Sequence, residues 1–239
     1  MTEKLSSEKT RFSENFKRIN DKIGETKARL GITSDITVMG ATKTVSAEII
    51  KYARSQGLTD AGENRVQELN EKFAENAYDG MKLHFIGRLQ TNKVKYLAEK
   101  NCDILIQSLD SISLAKEIEK RYSAVNRVCP VLVELNSGAE DAKGGVSAED
   151  IGDFFDLISD YKHIKPMGIM NVAPFCQKKD DYRKYFDKTF QIFIDISAKK
   201  LHNICRPILS MGMSDNYDLA VEYGATLVRP GRALFGDRA

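Results

Sequence analysis

The chain has only three histidines and four cysteines in 239 residues, and neither type is clustered. Cys102, Cys129, Cys176 and Cys205 form no Cys-x-x-Cys pair, and His84, His163 and His202 are equally dispersed. These spacings suggest neither a zinc site nor a serine-type triad. Three of the cysteines sit in or beside strand-like apolar runs, which points to buried reduced thiols rather than disulfides. An excess of one charge is also missing: 36 basic residues face 34 acidic ones, for a net charge of +2. No broad field therefore favours nucleic acid or an anionic membrane as partner. No apolar run approaches the length of a membrane span, and the first eight residues lack the apolar segment of a signal peptide. A soluble, cytoplasmic protein is expected. Low-complexity segments, internal repeats and linkers do not stand out either. A single domain over residues 1–239 follows, at a length usual for one undivided α/β barrel.

What is present is an alternation. Phe12, Phe16, Ile19 and Ile23 recur four, three and four residues apart, with Gly31 available as a stop, and predict an amphipathic helix ahead of the first strand. Strand-like runs then follow at 36–42, 60–64, 82–87, 103–109, 129–136, 164–171, 206–212 and 226–231. Helical spacing fills the intervals, most clearly over 111–122, 148–161 and 182–201. Eight strands joined by helical crossovers predict a parallel (β/α)8 TIM barrel with an extra N-terminal helix. The second strand is short and polar, Asp60-Ala-Gly-Glu-Asn64, and pattern alone would also allow a loop there.

Such barrels carry their chemistry at the carboxyl ends of the strands, with phosphates often held by the loops after strands seven and eight. Lys43 closes the first run, where a partly desolvated amine is suited to Schiff-base chemistry. Ser210, Gly212 and Ser214 follow strand seven, and Gly231 and Arg232 follow strand eight, together making a candidate phosphate cup. Each has a structural reading as well: Lys43 as surface charge, the glycines as turns, Ser214 as a cap for a helix starting near Asp215, Arg232 as a solvated side chain. A lysine, a phosphate cup and an arginine in the pocket suit pyridoxal 5′-phosphate (PLP), with Arg229 placed to face the pyridine nitrogen. An arginine there would keep that nitrogen unprotonated and weaken the cofactor as an electron sink. A lysine-dependent aldolase acting on a sugar phosphate would use the same kinds of residue, but Lys43 on strand one and Arg229 beside the cup fit PLP better.

The segments Thr42-Lys43-Thr44, Gly62-Glu-Asn-Arg-Val-Gln-Glu68, His84-Phe-Ile-Gly-Arg-Leu-Gln-Thr-Asn-Lys93, Ser210-Met-Gly-Met-Ser-Asp215 and Val228-Arg-Pro-Gly-Arg-Ala-Leu-Phe-Gly236 occur in one order along the chain. Over nearly its whole length the chain thereby resembles the pyridoxal phosphate homeostasis proteins, the YggS/PROSC family. The resemblance implies a barrel like the N-terminal domain of alanine racemase, PLP on Lys43, and a role in vitamin B6 and amino-acid homeostasis without catalytic turnover. It also implies that Ser210 contacts the phosphate, that Arg229 sits at the pyridine side, that the backbone of Gly231 and Arg232 holds the phosphate, and that Asn64 lines the pocket. Two positions depart from the family pattern. Arg232 stands where many relatives carry Thr or Ser, and Gln107 where histidine is common.

The rival reading is a PLP-dependent enzyme of the alanine racemase type. Racemisation needs a second acid/base, which in alanine racemases comes from an additional domain of a partner subunit. The chain ends directly after its eighth strand motif, so a monomeric carrier or buffer is expected, with apo PLP-dependent enzymes as candidate recipients. Lys143, in a glycine-flanked loop after strand five, is a second candidate amine at the mouth.

Overall fold

A computed structural model describes residues 2–138, 144–201 and 203–237. Lys143 and His202 lie outside them. The chain opens with helix α1 (Thr2–Leu30) and continues β1 (Thr37–Ala41), α2 (Ala47–Ser55), β2 (Asp60–Glu63), α3 (Val66–Ala74), β3 (Lys82–Phe85) and α4 (Val94–Ala98). It goes on through β4 (Ile104–Leu109), α5 (Ile112–Ala124), β5 (Cys129–Leu135), α6 (Ile151–Ser159), β6 (Ile164–Asn171) and α7 (Arg183–Lys200). The last elements are β7 (Ile208–Ser210), α8 (Tyr217–Glu222), β8 (Leu227–Val228) and α9 (Arg232–Phe235). The strands form a closed barrel in sequence order, all parallel, with β1 pairing both β2 and β8. This is the expected fold.

Each run read as a strand contains one, but several strands stop short of the expected carboxyl end. Their last residues leave the sheet for loops held by other bonds, such as Arg229 N–H to the Gly212 carbonyl (2.9 Å) and Ala41 N–H to the Pro230 carbonyl (3.0 Å). Pro230 also has no N–H with which to extend β8. The polar run at 60–63 is a fully buried strand. It survives because its two carboxylates find partners: Asp60 meets His84 inside the barrel, and Glu63 meets Lys72 and Tyr78 outside it.

Two apolar layers result from the period-two alternation of the strands. Outward residues such as Val38, Ala61, Leu83, Ile106, Val131, Val133 and Ile169 join the helices in the main core, while Met39, Ala41 and Leu227 make a small cluster inside the barrel. Helix α1 covers the outside next to α9. Phe12, Ile19 and Ile23 are buried, Phe12 stacks on Phe235 at 5.5 Å between ring centroids, and Asn15 donates to the Leu234 carbonyl at 3.1 Å.

The cysteines need a correction. All four are free thiols, but Cys129 is buried, Cys102 and Cys176 are half-buried, and Cys205 is exposed. Cys205 falls in the turn before β7, because that strand starts at Ile208 rather than at the expected Arg206. Among the described residues no helix is long and apolar enough to cross a membrane.

Candidate functional site

Met39 and Ala41 face the barrel interior, so the same alternation places Lys43, two residues on, at the interior side of the mouth. The half-buried lysine is set in a tightly held turn. Thr44 has φ = 66°, a left-handed conformation that a β-branched residue adopts only under constraint. The constraint comes from α3. The Thr44 N–H donates to Glu68, and the Lys72 ammonium donates to Glu68 (2.7 Å), to buried Glu63 (2.8 Å) and to the Thr42 carbonyl (2.8 Å). Thr42 Oγ1 and Tyr78 Oη also donate to Glu63, at 2.7 and 2.8 Å. Burial pushes the Glu68 carboxyl up, but hydrogen bonds from Lys72 and Thr44 outweigh it and hold the group below its usual range. For the Tyr78 phenol, burial and then the charge of Glu63 act together and raise its pKa, so it remains a donor.

Below the mouth a polar chain crosses the barrel interior. Arg229 Nη1 donates to Ser210 Oγ (2.6 Å), Ser210 donates to Gln107 Oε1 (2.7 Å), and Gln107 Nε2 meets His84 Nδ1 (2.8 Å). Because the amide nitrogen can only donate, Nδ1 accepts, and the ring proton on Nε2 goes to Asp60 Oδ1 at 2.9 Å. All the donors run one way, from a guanidinium to a carboxylate. Burial pushes the Asp60 carboxyl up, yet the bonds from His84 and Thr59 prevail and hold it below its ordinary value. Burial pulls Arg229 down to about 10, against the charge of Glu134, so the guanidinium keeps its proton at neutral pH. Its Nη2 donates to the Asn171 carbonyl at 2.7 Å.

The loops after β7 and β8 meet at Ser214. Its hydroxyl accepts from the N–H groups of Gly231 (3.1 Å) and Ala233 (3.0 Å), at the start of α9. The sequence had also allowed Ser214 to cap the helix near Asp215, but that helix, α8, has Asn216 at its cap. The turn requires Gly212, which has φ = 88° and where a Cβ would lie 2.5 Å from that of Ala220. Arg232 points away from this cup: Nη2 lies 2.6 and 2.7 Å from the two Asp215 carboxylate oxygens, and the side chain is 58% exposed.

The structure thus brings Lys43, Asn64, Arg229, Gly231 and Arg232 to one end of one barrel, on strands or loops that are neighbours in the sheet or one strand removed. Ser210 is fully buried, with its hydroxyl engaged by Gln107 and Arg229, while the hydroxyl standing at the loop amides is that of Ser214. Gln107, one of the two departures from the family pattern, links β3 to β7. The clamp on the Lys43 turn was missed, although its signal was available: Glu63 and Glu68 lie within a quoted motif, and Lys72 is four residues beyond Glu68 on one helix.

Comparison with known proteins gives a consistent picture. The family model for the alanine racemase N-terminal domain matches residues 10–239. A pyridoxal phosphate homeostasis protein of Aquifex aeolicus is 40% identical over 226 residues, covering 94% of this chain and 97% of its own. PipY of Synechococcus elongatus, solved with PLP bound, superposes with a TM-score of 0.75 at 27% identity over 90% of this chain and all of its own. An unknown protein from Bifidobacterium adolescentis superposes with a TM-score of 0.88 at 27% identity, over 96% of each chain.

Proposed function

The chain belongs to the pyridoxal phosphate homeostasis protein family, built on the alanine racemase N-terminal fold, and from that premise we propose that it holds PLP at Lys43 and supplies or buffers it without turning over a substrate. The observation that carries this reading is the convergence of an amine, a buried guanidinium and a cup of loop amides at the mouth formed by β1, β7 and β8.

The residues present fit the cofactor by the chemistry of their donor set. PLP supplies an aldehyde that condenses with an amine and a pyridine ring that can draw electrons. Lys43 provides the amine. Arg229 offers only N–H donors at the ring side and stays charged at neutral pH, so it does not protonate a pyridine nitrogen. The Arg232 amide and the Ser214 hydroxyl proton, with the Gly231 and Ala233 amides once they exchange the Ser214 oxygen for a phosphate oxygen, are the groups suited to the phosphate. Ser210 then serves by fixing Arg229 through the interior chain, and Asn64 lines the mouth beside Lys43. The Arg232 guanidinium, turned to Asp215, leaves the phosphate to the backbone.

In this reading the protein is a cytoplasmic monomer whose partners are PLP and apo PLP-dependent enzymes that receive it. The reading is tested by incubating the PLP-loaded protein with common amino acids and following racemisation, transamination and decarboxylation. Rates no higher than those of free PLP are expected. Robust turnover that disappears in Lys43→Ala would make it an enzyme of the racemase type.

A further inference from the structure

A groove of about 740 Å³ opens between the loops that follow β2, β3 and β4, next to the Lys43 mouth but not lined by Lys43. Its lining includes the buried side chains of Phe85 and Leu89, and Arg65, Arg88 and Lys93 stand around it with Asp110 as the one carboxylate among the described residues that line it. The size falls within the range of small-molecule sites. Some charged side chains elsewhere on the surface are paired, as in Lys17–Asp21, Arg121–Glu117 and Arg183–Glu222. Arg65 and Arg88 make no direct ion pair among the described residues, although the charge of Arg65 reaches Glu68 and that of Arg88 reaches Glu134, and Lys93 lies over the Tyr96 ring, 5.5 Å from its centroid.

Three like charges around one concavity repel one another, and their mutual repulsion is relieved when an anion enters. The walls are preformed. Gly87 is packed so closely on the preceding loop that a Cβ there would sit 2.1 Å from the Asn64 carbonyl oxygen, which ties the Arg88 loop to the Arg65 loop. The Ile86 N–H to Glu63 carbonyl bond (2.8 Å) reinforces that contact. Asn64 lines the groove as well as belonging to the strand end beside Lys43, so the two sites share a wall.

We propose that this groove is a second ligand site, which takes a small molecule bearing a phosphate or carboxylate group between Arg65 and Arg88. It goes beyond the holding of PLP and does not depend on Lys43. A guanidinium pair suits either oxyanion, since each can accept parallel N–H bonds from the planar fork.

The test is a calorimetric titration of the full-length protein, with and without PLP, using inorganic phosphate in one arm and malonate in the other at ionic strength fixed with chloride. Saturable binding is expected, weakened about tenfold or more in Arg65→Ala/Arg88→Ala through loss of charge-assisted bonds. In the PLP-loaded protein, whose cup is filled, it should be unchanged in Lys17→Ala, which removes an exposed cation on α1 away from the groove. The tighter arm identifies the ligand as a phosphate or a carboxylate. Both arginine side chains are on the surface, and Arg88→Glu, which should abolish binding outright, serves as an independent variant. Binding that persists in the arginine variants, or that chloride alone reproduces, overturns the proposal. So does the absence of saturable binding of both phosphate and malonate. Binding lost in Ser214→Ala but kept in the arginine variants would assign the anion to the cup and likewise overturn the groove, without touching the Lys43 reading.

Discussion

The ammonium of Lys72 lies 2.8 Å from the carbonyl oxygen of Thr42, the residue immediately before Lys43. A buried lysine on α3 thus grips the peptide that presents the mouth lysine, while Glu68 on the same helix takes the N–H of Thr44 on its other side. A left-handed threonine costs about 1–3 kcal/mol unless its surroundings enforce it, and this clamp supplies the enforcement.

Lys72→Met should therefore be strongly destabilising, by about 3–5 kcal/mol, because Glu63 is left as a buried charge without its cation. Glu63→Gln/Lys72→Met should recover a large part of that loss, since it removes both charges together. Urea denaturation of the three proteins measures both effects. Equal stability of Lys72→Met and the double variant would show that the pair is not coupled.

The interior chain makes a different demand. Gln107→Leu leaves His84 Nδ1 and the Ser210 hydroxyl proton without partners, at a cost of about 1–3 kcal/mol for each orphaned group. Gln107→His should be milder, because a neutral imidazole also offers one donor and one acceptor. Denaturation midpoints of the two variants should differ in that order.

At the cup, Arg232→Ala should leave PLP affinity nearly unchanged, because the guanidinium is engaged by Asp215 and the amide remains. Ser214→Ala should weaken it by roughly twofold to tenfold, the loss expected for one neutral hydrogen bond. A larger loss at Arg232→Ala that shrinks with salt would place the phosphate on the side chain instead.

Acid sensitivity should trace in part to Asp60. Its carboxyl is held below its ordinary value of 3.8, so the stability it contributes is complete above that value and is lost as pH falls through the lower, folded one. Glu134 acts in the opposite direction. Burial, with Asp110 nearby, raises its pKa, so it costs stability as pH rises through and beyond 4.5. Asp60→Asn should flatten the acid limb of stability measured over roughly pH 2 to 5, and Glu134→Gln should raise stability mainly at pH values above it.

The barrel was legible because apolar runs alternate with helical spacing around it, and even the polar second strand could be placed from its position in that order. Its survival as a strand was not legible, since it rests on Asp60 meeting His84 and Glu63 meeting Lys72 across elements that local pattern does not connect. Lys43, Arg229 and Gly231 could be picked out because strand ends are where such barrels place chemistry. Which serine stands at the loop amides could not, because Ser210 and Ser214 lie four residues apart in one glycine-containing segment. Only the turn at Gly212, with its positive φ, sends the first hydroxyl into the barrel and the second to the cup.

The central claim is that the amine of Lys43 carries the cofactor. It is tested most directly by mixing the protein with PLP, reducing the linkage with borohydride and locating the adduct by peptide mass spectrometry, alongside the visible absorption of Lys43→Ala. One adduct on Lys43, and a colourless Lys43→Ala protein that still melts cooperatively near the parent temperature, is the result expected. An adduct on another lysine such as Lys143, or a visible band that survives in Lys43→Ala, would contradict the account.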